Sequence, residues 1–161
     1  MNSKFKNWLD CDDEMKMSSF LDAYRNEIAL RKFAILNAES VDDLLVDNRS
    51  RNAINVAQAF VDGNATEVEL EQAYNSAVSA LQEILTAFGF DEDDPTEFEE
   101  KTEYAALVAL WAAYPVGHTG ASSLECARES ALHTAYYCYK LDGSRALEEQ
   151  LDRFVDAGML D

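Results

Sequence analysis

The chain has 161 residues, of which 48% are hydrophobic and 11% aromatic, and its formal net charge is −18. This length fits one domain with a single core, and the apolar content excludes an intrinsically disordered acidic chain. The six glycines and two prolines are too few for a turn-rich β-sandwich or barrel. The longest apolar run, residues 104–116, contains a proline and is too short to cross a bilayer. We therefore expect a soluble, mainly helical protein.

The cysteines and the N-terminal sequence indicate the compartment. The three cysteines include no CxxC pair, and no cationic segment followed by an apolar one opens the chain. Both observations favour reduced thiols and a cytoplasmic location. Cys126 and Cys138 are interpreted as small buried apolar residues, because a zinc site would need Cys and His at coordinated spacing.

The N-terminal residues are polar and lack a long helical pattern. Residues 1–14 are predicted to be an acidic lead-in arm, followed by a single helical domain over residues 15–161. Residues 15–47 have helical spacing, in two helices with a break near Ser40, because the sequence SVDD has the residues of a helix start.

The clearest helix of the chain opens after a second helical segment that ends at Gly63-Asn64. Thr66 and Glu69 have the spacing of a capping box, in which the threonine hydroxyl and the glutamate carboxylate each satisfy a free backbone N–H. Apolar residues then recur at spacings of three and four until Gly89, which is typical of an amphipathic helix.

The next helix is predicted to be the centre of the fold. Pro95 stands where a first helical position is expected, with Asp94 as its cap. The helix runs from about residue 96 to residue 114 and is apolar on every side beyond Tyr104. Such a helix belongs in the interior, so the central buried helix is placed near 104–114.

Two further helices are predicted over residues 121–141 and from Ser144 onward. No segment of useful length alternates apolar and polar residues with the period of a strand. The predicted fold is therefore all-α, a single-domain bundle of about six or seven helices.

Acidic residues are concentrated in one part of the chain. Residues 62–104 contain thirteen acidic side chains and a single base, Lys101. A well-placed carboxylate at a helix N-terminus gains roughly 0.3–1 kcal/mol, which accounts for two or three acids but not for the seven in residues 91–100. Because crowding of like charge costs stability, we interpret the acidic segment 91–103 as a docking surface for a positively charged partner. The predicted partner-binding residues are Asp91, Glu92, Asp93, Asp94, Glu97, Glu99, Glu100 and Glu103, with Glu67 and Glu71, and then Asp12 and Asp13, as second choices.

The sequence gives little support for a catalytic site. His118 stands near Ser122 and Ser123 in the sequence VGHTGASS, which can be drawn as a nucleophile with its base. No nucleophile-elbow motif supports that drawing, and the same serines suit a helix-capping loop. His133 is interpreted as a packed or half-buried histidine. We predict that the protein is not an enzyme and has no cofactor.

An EF-hand calcium loop is excluded because two required positions hold other residues. Counted from Asp91, the sixth residue is Thr96 rather than glycine, and the twelfth is Thr102 rather than glutamate. No specific metal site is predicted, although loose binding of divalent cations at the surface stays open. The chain has no glycine-rich phosphate cradle, and its negative field repels phosphates. We therefore expect no direct binding to nucleic acids or membranes.

Residues 30–83 contain two patterns of packing and capping residues. The first comprises Arg49, Arg51, Ala53, Ile54, Ala57, Phe60 and Gly63, and the second comprises Ala65, Thr66, Glu69, Leu70 and Ala73. With these patterns the segment resembles the core of small helical bacterial and phage-encoded proteins, some of which are classed as immunity proteins of polymorphic toxin systems, while others carry no assigned function. Gly117-His118 resembles a pair in the later helices of these proteins. The resemblance implies a helical fold and the role of a toxin inhibitor, and in this chain the acidic segment takes the place of a small, alanine-rich connection.

The leading functional hypothesis is an acidic stoichiometric inhibitor that binds and occludes a basic, nucleic-acid-directed protein, as an immunity protein neutralising a toxin. The first alternative is a phage-type nucleic-acid mimic, similar in action to an anti-CRISPR protein, because carboxylates spaced along helices can displace the contacts that phosphates make. The second alternative is a structural interaction domain whose acids form a solvated loop. Whether the protein is a monomer or a dimer stays open.

Overall fold

The computed structural model describes residues 3–89 and 95–159, and every regular element in these ranges is helical. This confirms the predicted all-α class. Two single 3₁₀ turns, Asp42–Leu44 and His118–Gly120, accompany eight α-helices in the described ranges. The α-helices are α1 (Ser3–Leu9), α2 (Glu14–Leu21), α3 (Glu27–Glu39), α4 (Asn48–Val61), α5 (Glu67–Phe88), α6 (Glu97–Ala112), α7 (Ser123–Asp142) and α8 (Ser144–Asp156).

Helix α1 lies within the segment that the sequence predicted as a lead-in arm. Its Trp8 is 0% exposed, and the indole ring packs 4.8 Å from the ring of Phe154 and 5.0 Å from that of Phe20. Large aromatic side chains contribute strongly to a core when they are buried. The described part of this segment is therefore held by the core of the bundle.

The break near Ser40 is confirmed, since α3 ends there and Ser40 is its C-terminal cap. The sequence SVDD forms only the 3₁₀ turn Asp42–Leu44. A second break, which was not predicted, separates α2 from α3. The side chain of Asn26 accepts a hydrogen bond of 3.1 Å from the backbone N–H of Ala29 and so caps α3. This break and helix α1 add two helices to the predicted seven, and the SVDD segment forms none, so the described residues contain eight α-helices.

Helix α6 lies in the interior, as predicted, and shares the centre of the fold with α7, which packs against α2, α3, α6 and α8. Helix α6 packs against α3, α4, α5 and α7, and its second half is almost completely buried. Ala105, Val108 and Ala109 have 0% exposure. Small side chains let neighbouring helix backbones approach closely, which explains why an alanine-rich helix occupies this position.

Helices α5 and α6 form an antiparallel pair. The rings of Tyr74 and Tyr114 lie 5.7 Å apart near the start of α5 and the end of α6, and those of Phe88 and Phe98 lie 6.4 Å apart at the other end. Because an α-helix rises about 1.5 Å per residue, the two ends of α5 are separated by about 30 Å.

The start of α6 differs from the prediction. Thr96, not Asp94, is the N-cap of α6, and Pro95 precedes the cap instead of occupying the first helical position. The Thr96 hydroxyl accepts a hydrogen bond of 3.2 Å from the Glu99 backbone N–H, and the Glu99 carboxylate accepts one of 2.8 Å from the Thr96 N–H. This capping box satisfies two backbone N–H donors. Pro95, which has no backbone N–H, lies outside the helix.

Candidate partner-binding surface

The first two turns of α6 carry exposed carboxylates on one side. Glu97, Glu100 and Glu103 are three residues apart, and residues at this spacing are neighbours on adjacent turns. The Glu97 side chain is 82% exposed, Glu100 is exposed, and Glu103 is half-buried. We call these three residues the α6 acidic surface. They extend over about 9 Å of the helix axis.

The other acids predicted in this segment have different positions. Glu99 is half-buried and holds the capping box, so its carboxylate stabilises the start of α6. Asp91, Glu92, Asp93 and Asp94 lie outside the described residues. The structure therefore brings together three members of the predicted set and gives a fourth a local structural role.

One cation accompanies the α6 acidic surface. The ammonium Nζ of Lys101 lies 2.7 Å from Oε1 of Glu97. The hydrogen bond from Lys101 lowers the pKa of Glu97, so this carboxylate stays ionised at neutral pH. Exposed ion pairs of this kind contribute little to stability, and a cation of a partner could replace Lys101 at little cost.

Phe98 borders the α6 acidic surface on the side of α5. The residue is 65% exposed, although its ring lies edge-to-face with that of Phe88. Exposed aromatic side chains often become anchors of protein interfaces because their burial stabilises a complex. The sequence analysis did not select Phe98, although an aromatic residue between Glu97 and Glu99 is a visible signal.

The second-choice acids lie elsewhere. Glu67 and Glu71 are exposed on the first turns of α5, at the end of α5 that lies about 30 Å from Phe98 and the α6 acidic surface. The antiparallel arrangement of α5 and α6 thus keeps them apart from Glu97. Asp13 caps α2 by accepting a hydrogen bond of 2.8 Å from the Lys16 N–H. Asp12 forms an ion pair with the Lys16 side chain.

A row of aromatic rings continues from the α6 acidic surface along α6 and α7. The ring of Tyr104 lies 5.8 Å from that of Tyr137. The Tyr137 ring lies 6.3 Å from the His133 ring, and the His133 ring stacks on Trp111 at 3.9 Å. All four residues are half-buried. Burial raises the pKa of Tyr137, and nearby carboxylates that include Glu103 act in the same direction. The row thus adjoins the α6 acidic surface at Glu103.

His133 is half-buried, as predicted. Its Nε2 lies 2.9 Å from a carboxylate oxygen of Glu129, and its Nδ1 lies 4.0 Å from a carboxylate oxygen of Glu14. The imidazole therefore joins α7 to the start of α2 while its face stacks on Trp111. The observed contacts of the His133 ring are therefore two carboxylates and an indole ring, as expected for a packed histidine.

The loop that contains His118 is also occupied by structural contacts. The His118 ring packs edge-on against the ring of Tyr114 at 5.2 Å. Ser122 caps α7, and the Ser123 hydroxyl donates a hydrogen bond of 2.8 Å to the Glu27 carboxylate. Ser122 therefore caps α7, as the helix-capping interpretation expected, while Ser123 joins the start of α7 to α3. Neither contact of these serines involves His118.

The described residues contain no group of three or more His, Cys, Asp and Glu side chains that could hold a metal ion. In residues 3–89 and 95–159, none of the helices combines the length and apolar character that crossing a bilayer requires. In comparisons with protein family models, curated proteins and solved structures, no match to the chain was found.

The three cysteines are free and buried, as the sequence analysis expected for Cys126 and Cys138. Burial raises the pKa of Cys138 from its ordinary value of 9.0 to about 11. Between these two values the unfolded chain loses the thiol proton while the folded chain keeps it. The unfolded state then binds fewer protons, so the free energy of unfolding decreases as the pH rises.

We expect Cys138→Ala to remove this contribution, which amounts to at most about 3 kcal/mol for a shift of two pKa units. Urea denaturation at pH 8 and at pH 11 should show a smaller decrease for the variant than for the wild type. An equal decrease in wild type and Cys138→Ala would contradict the assignment.

Proposed function

We propose that the protein is an acidic stoichiometric inhibitor that binds a basic, nucleic-acid-directed protein and occludes its working surface. The observation that carries this proposal is the α6 acidic surface, where carboxylates gather on one side of a helix. Among the described residues, neither Glu100 nor Glu103 takes part in an ion pair. Their charges are therefore free to interact with lysines and arginines of a partner.

Physical chemistry supports a docking role for this surface over a solvated one. Like charges on adjacent turns repel each other, and the capping box needs only Glu99. A concentrated negative field accelerates the encounter with a basic protein and selects against acidic ones. Phe98, at the border of the α6 acidic surface, adds apolar area that is exposed to water and that a partner can cover.

The toxin-inhibitor form of the proposal is supported by the family resemblance of residues 30–83. The length of the α6 acidic surface also supports this form. One strand of a nucleic acid carries a charge about every 3.4 Å of its axis, so the 9 Å of the α6 acidic surface matches about three phosphates. A surface of this length suits the blocking of one basic site, such as the substrate cleft of a nuclease.

The nucleic-acid-mimic form is supported by the regular three-residue spacing of Glu97, Glu100 and Glu103, which can replace successive phosphates on a nucleic-acid-binding partner. The two forms differ in the partner, which is a toxin in the first and a host defence complex in the second. In both forms we place the protein in the cytoplasm, where buried free cysteines such as Cys126 and Cys138 stay reduced.

The test begins with capture of the partner. The immobilised protein is exposed to a lysate of its native host, and the captured protein is then purified and studied alone. We expect a basic protein whose nuclease activity or nucleic-acid binding is lost when one equivalent of the inhibitor is added. An inhibitor that leaves this activity intact at several equivalents would contradict the proposal.

The kinetics of the purified pair give a second expected result. Because steered encounters are screened by salt, the association rate should fall by about an order of magnitude or more between roughly 50 and 500 mM salt. Stopped-flow fluorescence of a label on the partner measures this rate. An association rate independent of salt would favour a solvated acidic segment over a docking surface.

A further inference from the structure

A cavity of about 250 Å³ opens between the 3₁₀ turn Asp42–Leu44, the start of α6, the end of α7 and helix α8. It is larger than cavities of about 150 Å³ that accept benzene and smaller than most sites for drug-sized ligands. Its size therefore suits a molecule of about ten non-hydrogen atoms. The cavity shares only Lys101 with the acidic segment described above.

One side of the cavity carries a positioned cation. The guanidinium of Arg153 donates from Nη1 to Oδ1 of Asn37 and from Nη2 to Oε2 of Glu149, both at 3.0 Å. Asn37 is fully buried, and the Arg153 side chain is only 14% exposed. These bonds use two of the five N–H donors of the guanidinium, and its orientation is set before any ligand arrives. Lys101 adds a second cation at the cavity wall, and its ammonium is held there by the ion pair with Glu97.

A negatively charged side chain lines the cavity at the end of α7. Asp142 is exposed, lines the cavity and forms no ion pair with the described residues. It is the last residue of α7, where free carbonyl groups and the helix macrodipole favour a cation. Glu149, the other acid of the wall, already accepts hydrogen bonds from Arg145 and Arg153.

The remaining wall is apolar. Val41, Leu44, Leu141 and Ala146 contribute aliphatic side chains. The Cys138 thiol also lines the cavity, and its sulfur donates a hydrogen bond of 3.6 Å to the Asn37 carbonyl oxygen. Because burial keeps this thiol neutral, it acts here as a polarisable apolar contact.

We propose that this cavity binds a free α-amino acid with an aliphatic side chain. The carboxylate lies on Arg153 and Lys101, the ammonium lies on Asp142 and the carbonyls at the end of α7, and the side chain contacts the apolar wall. The formal charges of the lining residues cancel, which matches a zwitterion better than an inorganic anion or a basic side chain. This inference does not depend on the proposed inhibitor function.

Isothermal titration of the full chain with L-leucine tests the inference. We expect a Kd between about 10 μM and 1 mM, and binding at least about tenfold weaker for leucinamide and for N-acetyl-leucine, because each lacks one of the two charges. Absence of heat with leucine up to about 10 mM, or equal binding of all three compounds, would overturn the inference.

Two variants locate the binding. Asp142→Asn should weaken leucine binding by about tenfold or more, since it removes the charge that faces the ammonium. Leu44→Trp, at a position that is partly exposed, should block the cavity without disturbing the core. Asp152→Asn on the exposed side of α8 is the matched control and should bind leucine as the wild type does. Circular dichroism of each variant verifies folding, and wild-type binding by folded Leu44→Trp would place the ligand elsewhere.

Discussion

The triple variant Glu97→Lys, Glu100→Lys, Glu103→Lys is expected to bind the partner about 100-fold more weakly than the wild type, or worse. Each reversal replaces an attraction to the basic partner by a repulsion, and the three positions lie within about 9 Å of one another. Glu99 is left unchanged because its carboxylate completes the capping box of α6. Surface plasmon resonance with the purified partner, at a stated salt concentration, measures the change.

A matched control changes the same number of charges at another place. Glu148, Asp152 and Asp156 are exposed on α8, and their spacing of four residues puts them on one side of that helix. Their reversal to lysine alters the net charge equally, so it should change the affinity only through the general field. If this control weakens binding as much as the α6 variant, the total charge and not the α6 acidic surface determines binding.

The variant Trp8→Ala is expected to lower the free energy of unfolding by about 3–5 kcal/mol, the range for loss of a large buried aromatic side chain. Trp8 has 0% exposure and packs against Phe20, Phe33 and Phe154. Its removal leaves a cavity between α1, α2, α3 and α8 that four helices cannot easily close. Urea denaturation followed by circular dichroism measures the effect.

Met15→Ala provides the control for the same N-terminal region. Met15 is 79% exposed, so its truncation should change the free energy of unfolding by less than about 0.5 kcal/mol. A Trp8→Ala variant as stable as Met15→Ala would mean that helix α1 contributes nothing to the core. Residues 1–14 would then be the separate arm that the sequence suggested.

The sequence allowed several helices to be predicted because their signals are local. The capping box of Thr66 and Glu69 is present as predicted, and Gly89 closes α5 with a positive φ of 86°. The same kind of signal marks α6, since Thr96 and Glu99 have the spacing of Thr66 and Glu69. The prediction gave preference to Pro95 over this pattern and therefore placed the cap two residues too early.

Trp8 could not be placed in the core from its local sequence, because what buries it is far away in the chain. Phe33 and Phe154 belong to α3 and α8, and only the packing of these helices makes a site for the indole. The aromatic row of Tyr104, Tyr137 and Trp111 depends in the same way on the pairing of α6 with α7.

The candidate site was predictable only in part. The exposure of Glu97 and Glu100 agrees with a surface role inferred from charge density. Glu99 belongs to the cap of α6 because of its hydrogen bonds, and Glu67 lies far from the α6 acidic surface because α5 and α6 are antiparallel. Amino-acid composition reveals neither of these facts. Phe98 was overlooked because the interpretation considered charge alone.

The most direct test of the proposed docking role is carboxyl footprinting of the protein in the presence and absence of the captured partner. A carbodiimide couples an amine to each accessible Asp and Glu, and mass spectrometry of peptides reports the extent at each position. In the complex, labelling of Glu97, Glu100 and Glu103 should fall strongly, while that of Glu148 and Asp152 should stay unchanged. Unchanged labelling of the α6 acidic surface, together with protection of carboxylates elsewhere, would contradict the assignment of this surface as the docking site.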